Sequence, residues 1–110
     1  MTAPDVSAVA IVFTTLGAEA DAAALARTLV EEGLAACVNV LPPMTSVYRW
    51  RGAIEQDREQ QLIIKTTAAR VGDLEARLKS LHPYELPEFL ILPVVGGSSA
   101  YLAWVRDSVT

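Results

Sequence analysis

The sequence predicts a single α+β domain with the element order β-α-β-β-α-β-α. Three observations carry this expectation. Apolar runs of strand length alternate with two stretches of helical periodicity. Two adjacent strand patterns meet at a tight reversal, Arg51-Gly52. The 110 residues are 52% apolar and 20% charged, the makeup of a packed domain and not of a disordered chain.

Residues 7–15 are β-branched and apolar without polar alternation, which predicts a central strand buried on both faces. Leu16-Gly17 ends it. Residues 19–32 place Ala22, Leu25, Ala26, Leu29 and Val30 on one helical face. Glu19 and Asp21 fall in the first turn, where the helix dipole favours negative charge. Gly33 suits the position just past the helix end. A second strand over 34–41 is interrupted by Pro42-Pro43, since proline cannot donate to a ladder, and resumes over 45–50. Beyond the reversal, residues 53–55 and 59–66 form a third strand.

Residues 70–82 set Val71, Leu74, Leu78 and Leu81 on one face of a second helix, with Glu75 and Lys79 as a favourable (i, i+4) pair; Pro83 ends it. Residues 89–95 read as a fourth strand, and Gly96-Gly97-Ser98 as a loop and helix cap. Tyr101, Trp104 and Val105 mark a short closing helix. The first six elements spell the ferredoxin-like split βαβ arrangement, an antiparallel sheet with two helices on one face. One domain spans residues 1–110, with no linker, repeat or low-complexity segment.

Nine basic against thirteen acidic residues leave a net charge of −4 and a pI near 4.8, which argues against nucleic acid and anionic membranes as partners. The one cysteine, Cys37, cannot form an internal disulfide and fits a reducing compartment. Residues 1–5 carry no basic leader, and no run reaches the ~20 apolar residues of a membrane span. The expectation is a cytoplasmic protein that needs no cofactor to fold.

The hairpin between the second and third strands is too long for one subunit. From Val38 to Trp50, about 13 residues extend to ~43 Å, whereas a domain of this size is ~34 Å across. The tip carries Val47, Tyr48, Trp50 and Ile54, an apolar patch of the kind that marks an interface. The expectation is that the hairpin packs on a second copy of the chain. The alternative is that Pro42-Pro43 folds it back over its own sheet.

Chemistry-bearing residues are few. His82 opens the run His82-Pro83-Tyr84-Glu85-Leu86-Pro87-Glu88, whose two prolines impose a stiff, non-helical path. His82 either caps the second helix or serves as a metal ligand. Cys37 is either a packed apolar side chain or a thiolate that pairs with His82 toward copper or zinc. Such a site needs Glu85, Glu88, Asp57, Glu59 or water to complete it. No glycine-rich elbow surrounds Cys37, so an enzyme with a Cys-His nucleophile pair is not expected. Asn39, Tyr48, Arg49 and Trp50 read as a pocket wall or as a seam between subunits.

Several segments together carry a resemblance: Gly33 to Asn39, Thr45 to Glu55, Ile63 to Thr66, Leu81 to Glu88, and Tyr101 to Val105. In order and spacing they resemble the CutA divalent-cation tolerance proteins, over about Val9 to Ser108. The resemblance implies a ferredoxin-like subunit in a compact homotrimer similar to PII-type signalling proteins, with hairpins wrapped around neighbours. It also implies a non-enzymatic role in tolerance of divalent metals, notably copper. Cys37 and His82 match positions discussed as ligands. Some members have a further cysteine in the first strand where this chain has Thr14. A PII-like reading makes the crevices between subunits, near Asn39, Tyr48, Trp50, Lys65 and Tyr84, small-ligand sites.

Overall fold

Strand β1 (Val9–Gly17) forms where the β-branched run is densest, and a computed structural model describes the chain over residues 8–110. Ser7, the leader-free stretch expected over residues 1–5 and the first residues of the single domain lie outside the described residues. Helix α1 (Ala22–Glu31) starts later than its apolar periodicity suggests, because Asp21 is its cap: the carboxylate accepts from the Ala24 N–H at 3.0 Å. Glu19 therefore lies outside the helix. The other end closes as a Schellman motif around Gly33, at φ +72°, with the Leu34 and Gly33 N–H groups donating to Leu29 and Val30 carbonyls.

The second strand expected from the sequence is two strands, β2 (Cys37–Val40) and β3 (Met44–Trp50), parted at the two prolines. Both pair antiparallel with the same edge of one long strand, β4 (Ala53–Thr67), so the interruption preserves the line of the hairpin. Arg51 and Gly52, both at positive φ, form the reversal between β3 and β4. A 3₁₀ turn (Ala68–Arg70) leads into α2 (Val71–Leu81), β5 (Leu90–Pro93) is shorter than the apolar run suggests, and α3 (Ser99–Ser108) is capped by Ser98.

The sheet order is β2-β4-β1-β5, the ferredoxin-like arrangement, with β3 extending the β2 edge. Alternation along the strands gives each face its content. Val12, Ile64 and Val38 align on one face, where they pack with Leu29, Leu34, Leu74 and Leu78 of and beside the two helices. Val30 and Leu81, read as core-facing from periodicity, are exposed. On the opposite face α3 covers one end, with Val105 fully buried and Tyr101 beside Lys65. Leu90, Ile91 and Leu92 of β5 remain 38–54% exposed on an edge strand. Over Ala53–Arg58, β4 pairs among the described residues with β3 alone, and this two-stranded ribbon carries Val47 and Ile54 at 63% and 62% exposure.

Thr14 is fully buried, and its hydroxyl has no hydrogen-bond partner among the described residues. Replacing it with the near-isosteric valine removes an unsatisfied polar group, so Thr14→Val is expected to gain about 1 kcal/mol. A higher urea midpoint at unchanged slope checks this; a lower midpoint would mean the hydroxyl has a partner.

Candidate functional site

The segment after α2 is held by its histidine. His82 ends the helix in an extended conformation, and its side chain turns inward to 8% exposure. Its Nε2 lies 2.6 Å from the Thr15 carbonyl, and its Nδ1 accepts from the Tyr84 N–H at 3.1 Å. Both bonds together require the neutral imidazole with its proton on Nε2. The ring also packs against Tyr84, centroids 4.7 Å apart. Pro83 and Pro87 stiffen the rest of the segment, so Tyr84, Glu85 and Glu88 are presented from a path anchored to β1.

The hairpin supplies the facing wall. Pairing of Asp57 with Ser46 and of Glu55 with Tyr48 puts Tyr48, Trp50, Asp57 and Glu59 on one side of the ribbon. The Tyr48 hydroxyl donates to Asp57 Oδ2, and the Tyr84 hydroxyl donates to Glu59 Oε2 at 2.9 Å. At the tip the Arg51 guanidinium lies 5.2 Å over the Trp50 ring and pairs with Glu85 at 2.9 Å. The Gln61 amide donates to the Thr14 carbonyl at 2.7 Å and to Glu88 at 2.9 Å. Between the walls lies a cleft of about 1080 Å³ that carries five carboxylates, Glu19, Asp57, Glu59, Glu85 and Glu88. Thus the tip meets its own subunit across this cleft and is not stowed among the helices.

The two phenols report the negative field. Tyr48 is pushed up to about 12, chiefly by its hydrogen bond to Asp57. Tyr84 is pushed up to about 12 by burial first, then by its bond to Glu59, with the charges of Tyr48 and Asp57 adding to it. Both pKa values lie above the unfolded value of 10, so the stability they contribute is complete below pH 10 and lost as pH rises toward 12. Phenolate absorbance at 295 nm checks this: Asp57→Asn and Glu59→Gln are each expected to return one phenol toward 10. Unmoved titration curves in both variants would remove the carboxylates as the cause.

Seven residues singled out in the sequence therefore meet in one cleft: Tyr48, Trp50, Asp57, Glu59, Tyr84, Glu85 and Glu88. His82 stands behind it as an anchor. Cys37, Asn39 and Lys65 are elsewhere. Cys37 pairs with Lys65, while the Thr15 carbonyl held by His82 sits at the Gln61 level of β4, four residues away or about 13 Å along the strand. One chain thus does not bring Cys37 and His82 together. Among the described residues no three His, Cys, Asp or Glu side chains converge closely enough to hold a metal ion. Arg51, Gln61 and Glu19 were missed in the sequence. The alternation of Glu55, Asp57, Glu59 and Gln61 along a strand was the available signal for Gln61.

This geometry defines a ferredoxin-like α+β protein with an acidic, aromatic-walled cleft beneath an overhanging hairpin. A family model described as "CutA1 divalent ion tolerance protein" matches residues 10–108, and the chain belongs to that family. It is 45% identical over 98 residues to the divalent-cation tolerance protein CutA of Thermus thermophilus, covering 89% of this chain and 95% of the relative. It is 46% identical over 99 residues to human Protein CutA, covering 90% of this chain but 55% of the relative, so it spans about half the length of the animal proteins. Among solved structures, the Thermus thermophilus divalent cation tolerance protein superposes with a TM-score of 0.89 at 43% identity, over 93% of this chain and 99% of that one. Xylella fastidiosa CutA superposes with a TM-score of 0.88 at 43% identity, over 93% and 98%. No helix among the described residues is long and apolar enough to cross a membrane. One similar structure, from Archaeoglobus fulgidus, is described as periplasmic, and an Arabidopsis thaliana relative as chloroplastic.

Proposed function

We propose that the chain is a cytoplasmic, non-enzymatic homotrimer that confers tolerance to divalent cations, copper among them, by binding them reversibly. The observation that carries this is the excess of carboxylates in the cleft, where Arg51 forms an ion pair with Glu85 and the hydrogen bonds to Asp57, Glu59 and Glu88 come from neutral groups. Such a concave acidic surface focuses field lines and raises the local cation concentration. Glu85 and Glu88 act as oxygen ligands. Cys37 reaches a further donor only through assembly, and His82 becomes a ligand only when Tyr84 gives up Nδ1.

The trimer reading is supported by the uncovered ribbon and by the exposed apolar edge at β5, surfaces a lone subunit leaves in water. Calorimetric titration with copper tests the function. Saturable binding that weakens in Glu85→Gln/Glu88→Gln, with a smaller loss in Cys37→Ala, is the expected result. No specific heat from any divalent cation would reject it.

A second reading, a PII-like small-ligand binder, is favoured by the size of the cleft and by the Tyr48, Trp50 and Tyr84 rings in or beside it. In that reading Asn39 and Lys65 contribute to crevices between subunits.

A further inference from the structure

Gly33 answers two demands at once. Its φ of +72° closes helix α1, and its carbonyl accepts from the Thr110 N–H at 3.1 Å. The Thr110 side chain also lies against its bare Cα. A β-carbon on residue 33 would overlap Thr110 Oγ1 and stand 3.1 Å from Thr110 Cβ. Closing a helix asks only for the left-handed conformation, which asparagine also reaches. The close approach is a separate requirement, set by a residue far along the sequence.

Thr110 reaches this seat from α3. After Ser108 the chain leaves the helix through Val109 in an extended conformation, φ −104° and ψ 153°, and meets the corner between α1 and β2. The opposite end of α3 is tied by Ser98, whose Oγ accepts from the Tyr101 N–H at 3.4 Å. Between these ties the hold on the sheet is thin. Val105 is the buried residue of this ten-residue helix, while Tyr101 and Trp104 keep 45% and 46% of their surface in water. Elements with few buried apolar contacts open locally well before the whole fold unfolds.

The face beneath α3 carries one cross-strand row. Leu92 pairs with Ile11, Ile11 with Lys65 and Lys65 with Cys37, so the four share that face. The Lys65 ammonium stands 5.8 Å from the centre of the Tyr101 ring, which fixes where the helix crosses the row. We propose that α3 is a lid on this row and that residues 109–110 are its latch. Seated on Gly33, Thr110 holds the helix down against Lys65. Unseated, it lets the helix lift from the sheet and frees the Lys65 ammonium from Tyr101. The device goes beyond the proposed function and uses none of the carboxylates of the cleft.

The test is hydrogen exchange read by mass spectrometry on the full chain in its native assembly. Thr110→Pro removes the donated N–H, and the extended Val109 already has the backbone that a following proline requires. Exchange of the α3 amides is expected to rise at least tenfold, with peptides of α2 and β1 keeping their rates. Gly33→Ala is expected to act on α3 in the same way by evicting Thr110, and to add nothing there once residues 109–110 are deleted. Because Gly33→Ala also strains the end of α1, Thr110→Pro keeps the test decisive if the glycine variant fails to fold. Acetylation of Lys65 by an N-hydroxysuccinimide ester should rise several-fold in the unlatched variants, against a constant rate at the exposed Lys79. Unchanged α3 exchange in Thr110→Pro would overturn the proposal, including the case in which neighbouring copies hold the helix down. So would equal acceleration of α2, a Gly33→Ala effect on α3 that survives the deletion, or a Lys65 that stays protected while α3 exchanges.

Discussion

His82→Ala is expected to destabilise the subunit by about 2–4 kcal/mol, because it strips two groups of their partners at a buried position. The Thr15 carbonyl loses the Nε2 donor and the Tyr84 N–H loses the Nδ1 acceptor. Removing the ring also opens a void beside Tyr84. The effect should reach the cleft, since the anchored segment carries Tyr84, Glu85 and Glu88. Loss of the Tyr84–Glu59 bond would bring the Tyr84 phenol down from about 12 toward its ordinary value. Urea unfolding measures the first consequence and phenolate absorbance the second. His82→Gln, which retains a donor and an acceptor, should recover part of both. A histidine that acts only as a metal ligand would lower copper binding while leaving the metal-free urea midpoint where it was.

The second large effect concerns assembly. Val47→Asp/Ile54→Asp is expected to convert the proposed trimer to monomers at micromolar concentration. The two side chains are diagonal neighbours on one face of the ribbon, because Val47 pairs with Gln56 and Arg49 with Ile54. Both are more than 60% exposed in the subunit, so charge there costs the isolated fold little. Burying each at an interface contributes about 1.5–3 kcal/mol, and every subunit of a closed ring repeats the contribution. Sedimentation velocity reads the result directly, and circular dichroism shows whether the subunit stays folded. A variant that remains trimeric would place the interface elsewhere and leave the ribbon without its assigned role.

The parts legible in the sequence are those governed by neighbours along the chain. Ser98 before α3, Gly33 after α1, the Arg51-Gly52 reversal and the Glu75–Lys79 pair all stand where local rules put them. The overhanging ribbon was legible too, since strand length is additive in residue number. Boundaries were less so: Asp21 proved to be a cap and not a first-turn residue, and its side-chain bond to Ala24 shortens the helix that periodicity alone extends to Glu19. The fourth strand, Leu90–Pro93, is shorter than its apolar run over 89–95: among the described residues only β1 pairs with it, over Ala10–Phe13, and one of its edges is left free.

By itself, the sequence determined the order of elements, the split at Pro42-Pro43, the acidity of the chain and the residue types available for chemistry. Only the tertiary structure decided which of those residues face one another. Asp57 and Glu59 meet Tyr48 and Tyr84 because antiparallel register sets the parity of β4 and because a buried imidazole ties residues 82–84 to β1. Cys37 is left apart from His82 for the same reason: pairing places it at the Lys65 level, away from the Gln61 level beneath the anchor. Register and loop path depend on contacts between residues far apart in sequence, and composition and spacing do not encode those contacts one residue at a time.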